Sequence, residues 1–146
     1  MNPQVSIRKY LVGVFLSGYC LFLFFPKSIA IAAPDIDNVT IEQISQWHKQ
    51  NVIYLGENHD CPEHHVTQLQ IIMELYQAKA ETKLSLAIAL EMFQRPFQPI
   101  LDRYLAKEIN EAELREQTEY NQRWGWDWEF YAPILRFAQV LSLIHI

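Results

Sequence analysis

The sequence contains little cysteine. Its 146 residues include two cysteines, Cys20 and Cys61, and Cys20 lies inside an apolar run near the N-terminus. Once that run is removed, Cys61 is the single cysteine left, which excludes an internal disulfide. In an oxidising compartment, a lone thiol is expected to be buried or functionally occupied.

Basic residues are also scarce. The net charge is −5, and residues 1–32 hold three of the 12 basic residues and no acidic one. The remaining chain therefore carries 9 basic against 17 acidic residues, with no cluster of Lys and Arg. Because phosphate contacts need such clusters, the composition excludes a nucleic-acid-binding protein. The length allows one domain at most.

The sequence also lacks a full-length apolar span. Its longest apolar run, Tyr10–Phe25, has 16 residues, whereas a spanning helix needs about 20. Basic Arg8–Lys9 precedes the run, and the small-residue stretch Ala30–Ala33 follows it. We predict an export signal over residues 1–32, cleaved after Ala32. An uncleaved membrane anchor is the alternative, and membrane contact is expected only through this segment.

After a linker over residues 33–39, a domain is predicted over residues 40–146. A short helix with the capping box Thr40–Gln43 precedes the apolar strand Val52–Leu55, and Leu84–Leu90 predicts a second strand. Between them a helix begins at Pro62, with a core stripe of Val66, Leu69, Met73 and Tyr76. Strand, helix and strand predict an α/β fold: a βαβ-containing parallel sheet flanked by helices.

Further helices are predicted downstream. Residues 97–105 have amphipathic spacing, Asn110 begins another helix, and Glu129–Gln139 forms a third with Pro133 in its first turn. The aromatic loop Trp124–Trp128 lies between the last two. Because two strands are too few for a covered parallel sheet, we expect an incomplete fold that lacks its C-terminal strands. Residues 141–146 are expected to be artefactual, so His145 receives no functional role.

Chemically reactive side chains follow the first strand. Residues 56–65 hold three of the five histidines, and Glu91 ends the second strand. In open α/β sheets ligands bind at the carboxyl ends of strands. Glu57, His59 and Glu91 are therefore predicted to converge on a crevice, as ligands of a divalent metal or as acid–base groups. Helix capping by the acidic residues is the alternative.

These residues resemble the ChaN-like family of haem-binding proteins. The strings that carry the resemblance are Val52–Asp60, His64-His65 with Gln68, Leu90–Gln94, Trp124–Asp127 and Tyr131–Ile134, within roughly residues 40–139. The family is related to Tiki metalloproteases and erythromycin esterases, which share a Gly-x-x-His turn and a strand-end Glu. Gly56-x-x-His59 and Glu91 match these positions, whereas a second Gly-x-x-His is absent.

The resemblance implies haem binding at a homodimer interface outside the cytoplasm, in the periplasm or at a membrane. It implies tyrosine as the iron ligand and histidine in support. The corresponding cofactor-binding candidates are His59, His64, His65, Tyr120 and Tyr131. We interpret the tryptophan loop as core packing in preference to a haem wall.

Two functions from different classes follow. The first is an extracytoplasmic haem-binding protein of haem and iron uptake, which is not an enzyme. The alternative is a metal-dependent hydrolase of the Tiki or esterase type that uses Glu57, His59 and Glu91. A third possibility is a structural fragment without activity.

Overall fold

A computed structural model of the protein describes residues 9–15, 28–31, 44, 46–47, 49–80 and 85–141. Four strands lie in this part of the chain: β1 (Lys9–Phe15), β2 (Ser28–Ile31), β3 (Val52–Gly56) and β4 (Ser85–Leu90). The helices are α1 (Pro62–Ala80), α2 (Gln98–Leu105), α3 (Glu111–Gln117), α4 (Tyr120–Arg123) and α5 (Trp128–Leu141). A 3-10 turn, Arg95–Phe97, leads into α2. This mixture of helix and strand confirms the α/β class.

The two strands predicted from sequence occupy their predicted positions. In β3, Ile53 and Leu55 are buried and their neighbours are half-buried, whereas β4 is buried continuously from Leu86 to Leu90. The strands are arranged in the order β2-β3-β1-β4, and β1 pairs in parallel with both β3 and β4. β3 and β4 are therefore separated by β1. The finer prediction, a βαβ unit within a sheet covered by helices on both faces, stays a prediction.

The core face of α1 differs from the predicted one. Of the predicted stripe Val66, Leu69, Met73 and Tyr76, Val66 and Met73 are wrong as core residues, since they are 58% and 39% exposed. Leu69 and Tyr76 are half-buried and pack against the core. The buried face consists instead of His65, Gln68, Ile71, Ile72 and Leu75. Because two of these five residues are polar, apolar periodicity alone selected a face rotated by about one residue. This face packs against α5 and β4.

The downstream helices follow the prediction closely. Leu101 and Tyr104 are the buried residues of α2. Asn110 caps α3: its Oδ1 accepts from the backbone N–H of Glu113, whose carboxylate accepts from the N–H of Asn110. This reciprocal pair satisfies two donors that a helix start leaves open. α5 begins one residue before the predicted start, which places Pro133 beyond the first turn rather than within it.

Helix α5 is anchored to α3 at the surface. Arg136 donates from Nε and Nη2 to the two oxygens of Glu111, at 2.8 Å and 2.7 Å. Trp128 at the start of α5 donates its indole N–H to Glu111 Oε1 at 2.6 Å. Glu111 therefore ties two points of α5, Trp128 at its start and Arg136 two turns later, to α3.

Several predictions concern residues outside the described ones. Ile44, Gln46 and Trp47 are helical, but the capping box Thr40–Gln43 and the linker lie outside the described residues, as do residues 142–146. Residues 9–15 of the predicted signal form β1; whether the segment is cleaved stays a prediction. Among the helices described, none combines the length and the apolar character that crossing a membrane requires.

Candidate functional site

A buried carboxylate lies immediately beyond the carboxyl end of β3. Glu57 follows Gly56, and its side chain is fully buried. Its Oε1 lies 2.6 Å from His59 Nδ1 and 2.7 Å from the hydroxyl of Tyr131. Its Oε2 accepts from Gln68 Nε2 at 2.8 Å and lies 3.4 Å from His65 Nδ1. Four side chains therefore surround one carboxylate.

These contacts decide the charge of Glu57. Burial raises the pKa of the Glu57 carboxyl, but the adjacent His65 ring and the hydrogen bonds from Tyr131, His59 and Gln68 outweigh it and hold the pKa at about 2. The carboxylate is therefore ionised at neutral pH. Both Glu57 oxygens accept hydrogen bonds, Oε1 from His59 and Tyr131 and Oε2 from Gln68, so the carboxylate is suited to orient these side chains.

The charge of Glu57 fixes the tautomer of His59. An ionised carboxylate only accepts hydrogen bonds, so Nδ1 of His59 carries the proton that lies toward Glu57 Oε1. In the neutral ring, Nε2 then keeps its lone pair. Among the described residues, the side-chain contacts of His59 with Glu57 and Tyr131 are made by Nδ1. A histidine whose other nitrogen donates to a carboxylate is the usual arrangement of a metal-ligating imidazole.

The tryptophan loop packs onto His59. The Trp124 ring lies 4.8 Å from the His59 ring in an edge-on arrangement, and the Trp126 ring lies at 5.3 Å. Gly125 between them has φ +78°, a conformation that favours glycine. Trp126 is 41% exposed, so the aromatic surface around His59 extends to solvent. The interpretation of this loop as core packing missed its contact with the site.

His65 connects the loop backbone to the carboxylate. Its Nε2 lies 3.1 Å from the carbonyl oxygen of His59, and its ring stacks on Phe130 at 4.8 Å with an interplanar angle of 8°. A carbonyl oxygen only accepts, so Nε2 carries a proton. His65 is 3% exposed. It therefore fixes the turn between β3 and α1 through its contacts with the His59 carbonyl and Phe130.

His64 has a different environment at the surface. Its Nδ1 accepts the backbone N–H of Asn58 at 2.9 Å, so its lone pair on that atom is used within the turn. In the neutral ring the proton then lies on Nε2. Cys61, also in this turn, is half-buried and donates its thiol to Glu63 Oε2 at 3.3 Å.

Of the two tyrosine candidates, Tyr131 belongs to the cluster. Both Tyr120 and Tyr131 are 1% exposed, and their rings lie 6.5 Å apart. Burial together with the adjacent Glu57 carboxylate raises the pKa of Tyr131 well above its ordinary value. Burial also raises the pKa of Tyr120. Within the described residues, the Tyr120 hydroxyl has no hydrogen-bond partner.

The predicted metal set is only partly assembled. Glu57 and His59 are in contact, whereas Glu91, half-buried after β4, is not among the hydrogen-bond partners of Glu57. In residues 9–15, 28–31, 44, 46–47, 49–80 and 85–141, no three His, Cys, Asp or Glu side chains are grouped to hold a metal ion. The assignment of Glu57, His59 and Glu91 as metal or catalytic residues stays a prediction.

One family model matches this chain. It is described as "Haem-binding uptake, Tiki superfamily, ChaN", and it covers residues 43–144. The chain belongs to this family. No curated protein and no solved structure matches the chain. The match spans every residue of the Glu57 cluster, from β3 through α5, so the ChaN resemblance read from the sequence is confirmed.

The family description implies haem, so the side chains at this site are compared with the ligand and the contacts that haem requires. A porphyrin needs an axial ligand and apolar or aromatic contacts to its plane. His59 offers a lone pair on Nε2, and Trp124 and Trp126 supply aromatic surface beside it. The donor set therefore fits haem iron. Gln68, Trp124 and Trp126 are the site residues that the sequence reasoning did not assign.

Proposed function

We propose that this protein binds haem through His59 and serves haem uptake outside the cytoplasm. The observation that carries the proposal is the 2.6 Å contact between Glu57 Oε1 and His59 Nδ1. It leaves Nε2 as the unprotonated nitrogen, and the family membership of residues 43–144 supports haem as the ligand. When bound, haem would supply an iron centre with an open coordination position for the imidazole.

In this proposal Tyr131 positions the site rather than ligating iron. Its hydroxyl instead donates to Glu57 Oε1 at 2.7 Å. Tyr120 is equally buried, and its ring packs edge-on against Trp128.

The other two histidines support the same site. His65 is buried between the His59 carbonyl, Glu57 and Phe130, so we assign it a positioning role. His64 accepts a backbone hydrogen bond through Nδ1, and a switch of tautomer is needed before its Nε2 can ligate. His59 is therefore the ligand that needs no rearrangement of hydrogen bonds.

The proposal extends to location and assembly. Residues 1–32 act as the export signal, which brings the domain to the periplasm or the outer face of a membrane. Before cleavage, residues 9–15 of this segment pair with β3 and β4, and residues 28–31 pair with β3. Membrane contact is made only through that segment, and a homodimer presents the site to haem. The domain forms a parallel sheet covered by helices.

The hydrolase alternative has weaker support. It requires Glu57 as a metal ligand or acid–base group, yet hydrogen-bond donors already occupy both Glu57 oxygens.

Hemin titration of the full chain tests the proposal. We expect a shifted, saturable Soret band in the wild type and a loss of about tenfold or more in affinity for His59→Ala, about 1.4 kcal/mol. His64→Ala serves as the matched histidine control and is expected to keep the band. Wild-type affinity in His59→Ala, or a band lost in His64→Ala alone, would contradict the assignment.

A further inference from the structure

Residues 9–15, which belong to the proposed export signal, form a strand between β3 and β4. This strand, β1, pairs in parallel with β3 over five residues and with β4 over six. The order β2-β3-β1-β4 therefore keeps the carboxyl ends of β3 and β4 two strand spacings apart, roughly 9–10 Å. Glu57 follows the first of these ends directly, and Glu91 follows the second.

We propose that removal of the export signal completes the candidate site. In the uncleaved chain β1 lies between β3 and β4. After cleavage β3 and β4 pair directly, and Glu91 comes to the strand end beside the one that carries Glu57. The inference rests on the export and cleavage in the proposed function and adds what cleavage does to the site. It does not depend on which residue ligates iron.

Cleavage removes strands on both sides of β3. A signal peptidase hydrolyses the Ala32–Ala33 peptide bond, and water gives its hydroxyl to the Ala32 carbonyl carbon and a proton to the Ala33 nitrogen. Residues 9–15 and 28–31 leave together, so β3 loses its pairing with β1 and β2, and β4 loses its pairing with β1. Unpaired backbone N–H and C=O groups at a strand edge are unfavourable. Direct pairing satisfies one edge of each remaining strand.

The register of β1 already aligns β3 with β4. Val14 of β1 pairs with both Leu55 and Leu90. Two residues earlier, Ile53 and Ile88 share a partner in the same way. These four residues of β3 and β4 are buried, so matching levels carry matching core side chains. The two strands therefore close the gap sideways, without the one-residue slip that would turn every side chain to the other face.

The connection between β3 and β4 suits direct pairing. Neighbouring parallel strands need a crossover of about a dozen residues or more, and α1 supplies 19. This helix packs against β4, and its Gln68 donates to Glu57 just beyond β3. With β1 removed, β3, α1 and β4 form the βαβ unit that parallel sheets use.

Disulfide trapping distinguishes the two arrangements. In a background with Cys20→Ser and Cys61→Ser, we introduce Val52→Cys and Ala87→Cys at one level of the sheet, since both positions pair with Leu11. Their Cα atoms are roughly 9–10 Å apart across β1 and roughly 5 Å apart after direct pairing. Only the shorter distance allows a disulfide, because Cα atoms more than about 7 Å apart cannot be bridged.

The full chain with this pair is oxidised before and after treatment with a signal peptidase. We expect the disulfide only in the cleaved chain. Val52→Cys with Ala89→Cys is the control, because its Cα atoms stay roughly 8 Å apart even between paired strands, so no disulfide is expected in either form. A disulfide before cleavage, none after it, or equal disulfides in both pairs would overturn the inference. Loss of the helical circular dichroism on cleavage would also overturn it.

A substitution in β1 tests the strand exchange without cleavage. Val12→Pro removes a backbone N–H from a strand that is paired on both sides, where proline is not accommodated, whereas Val12→Ile keeps that N–H. In the uncleaved chain we expect the disulfide between Val52→Cys and Ala87→Cys with Val12→Pro and not with Val12→Ile. Failure of Val12→Pro to fold, or an intact fold without the disulfide, would contradict the exchange.

The proposed function fails by different observations. A full chain that the peptidase does not cut after Ala32 would contradict the export signal, and Val12→Pro would still decide whether β3 and β4 pair once β1 is released. Absence of haem binding in both the cleaved and the uncleaved chain would contradict haem as the ligand and leave the disulfide result unchanged.

Discussion

The hydroxyl of Tyr131 donates a hydrogen bond of 2.7 Å to Glu57 Oε1, although 74 residues separate the two in sequence. This contact ties the carboxyl end of β3 to the first half of α5. Gln68 adds a tie from α1 to the same carboxylate. Three elements thus meet at one buried charge, and that charge orients His59.

Acid is expected to weaken this centre. The pKa of Glu57 is about 2 in the folded protein against an ordinary 4.5, so its folded-state pKa is depressed. A depressed carboxyl pKa contributes stability that is fully present above about pH 4.5 and is lost as pH falls toward 2. The contribution is at most roughly 3–4 kcal/mol, at 1.36 kcal/mol per pKa unit.

Urea unfolding of the full chain at pH 7, 4, 3 and 2.5 measures this contribution. Other carboxylates titrate in the same window, so the informative quantity is the difference in unfolding free energy between wild type and Glu57→Gln. We expect that difference to shrink as the pH falls. A difference that stays constant with pH would show that Glu57 is not the group responsible.

The two buried tyrosines provide a matched pair of substitutions. Tyr131→Phe removes a hydrogen bond to an ionised group and is expected to cost about 1.5–3 kcal/mol in the free energy of unfolding. Tyr120→Phe removes a hydroxyl that lacks a hydrogen-bond partner among the described residues, so it is expected to be neutral or slightly stabilising. Thermal and urea unfolding of both variants at pH 7 check the contrast. Equal losses in the two variants would contradict the assigned hydrogen bond.

The sequence predicts the positions of helices and strands better than it predicts which face of a helix is buried. Apolar runs, Pro62 and the Asn110 capping signal place β3, β4, α1 and α3 correctly, because those signals are local. The position of Glu57 and His59 beyond β3 follows from the same strand end. Local signals thus identify the turn that carries the site.

The partners of that turn come from distant parts of the chain. Gln68 and His65 are polar residues on the buried face of α1, where apolar periodicity gives no reason to expect them. The contacts of Trp124 and Trp126 with His59 depend on how α5 and its preceding loop pack. Glu91, half-buried beyond the end of β4, stays a predicted member of the site.

Substitutions of the adjacent residues Ile72 and Met73 test which face of α1 is buried. Ile72 is fully buried and Met73 is 39% exposed. Ile72→Ala is expected to cost about 2–5 kcal/mol because it leaves a cavity. Met73→Ala is expected to change stability by no more than about 0.5 kcal/mol, as surface substitutions do. Urea unfolding separates the two, and a larger loss for Met73→Ala would restore the face predicted from periodicity.

Substitutions at the N-cap of α3 are expected to change the stability of the protein without changing the candidate haem site. Asn110→Ala removes the side-chain acceptor of the Glu113 N–H and is expected to cost about 1 kcal/mol in unfolding free energy. Asn110→Asp keeps a capping oxygen and is expected to retain most of that stability. Because α3 packs on α2 and α4 and supplies none of the side chains that bond Glu57, neither variant is expected to shift the Soret band or the acid dependence that Glu57 confers. Urea unfolding and hemin titration on the same preparations test both statements. A shifted Soret band in Asn110→Ala, with the fold intact, would mean that α3 helps to orient His59 and that the site extends beyond the Glu57 cluster.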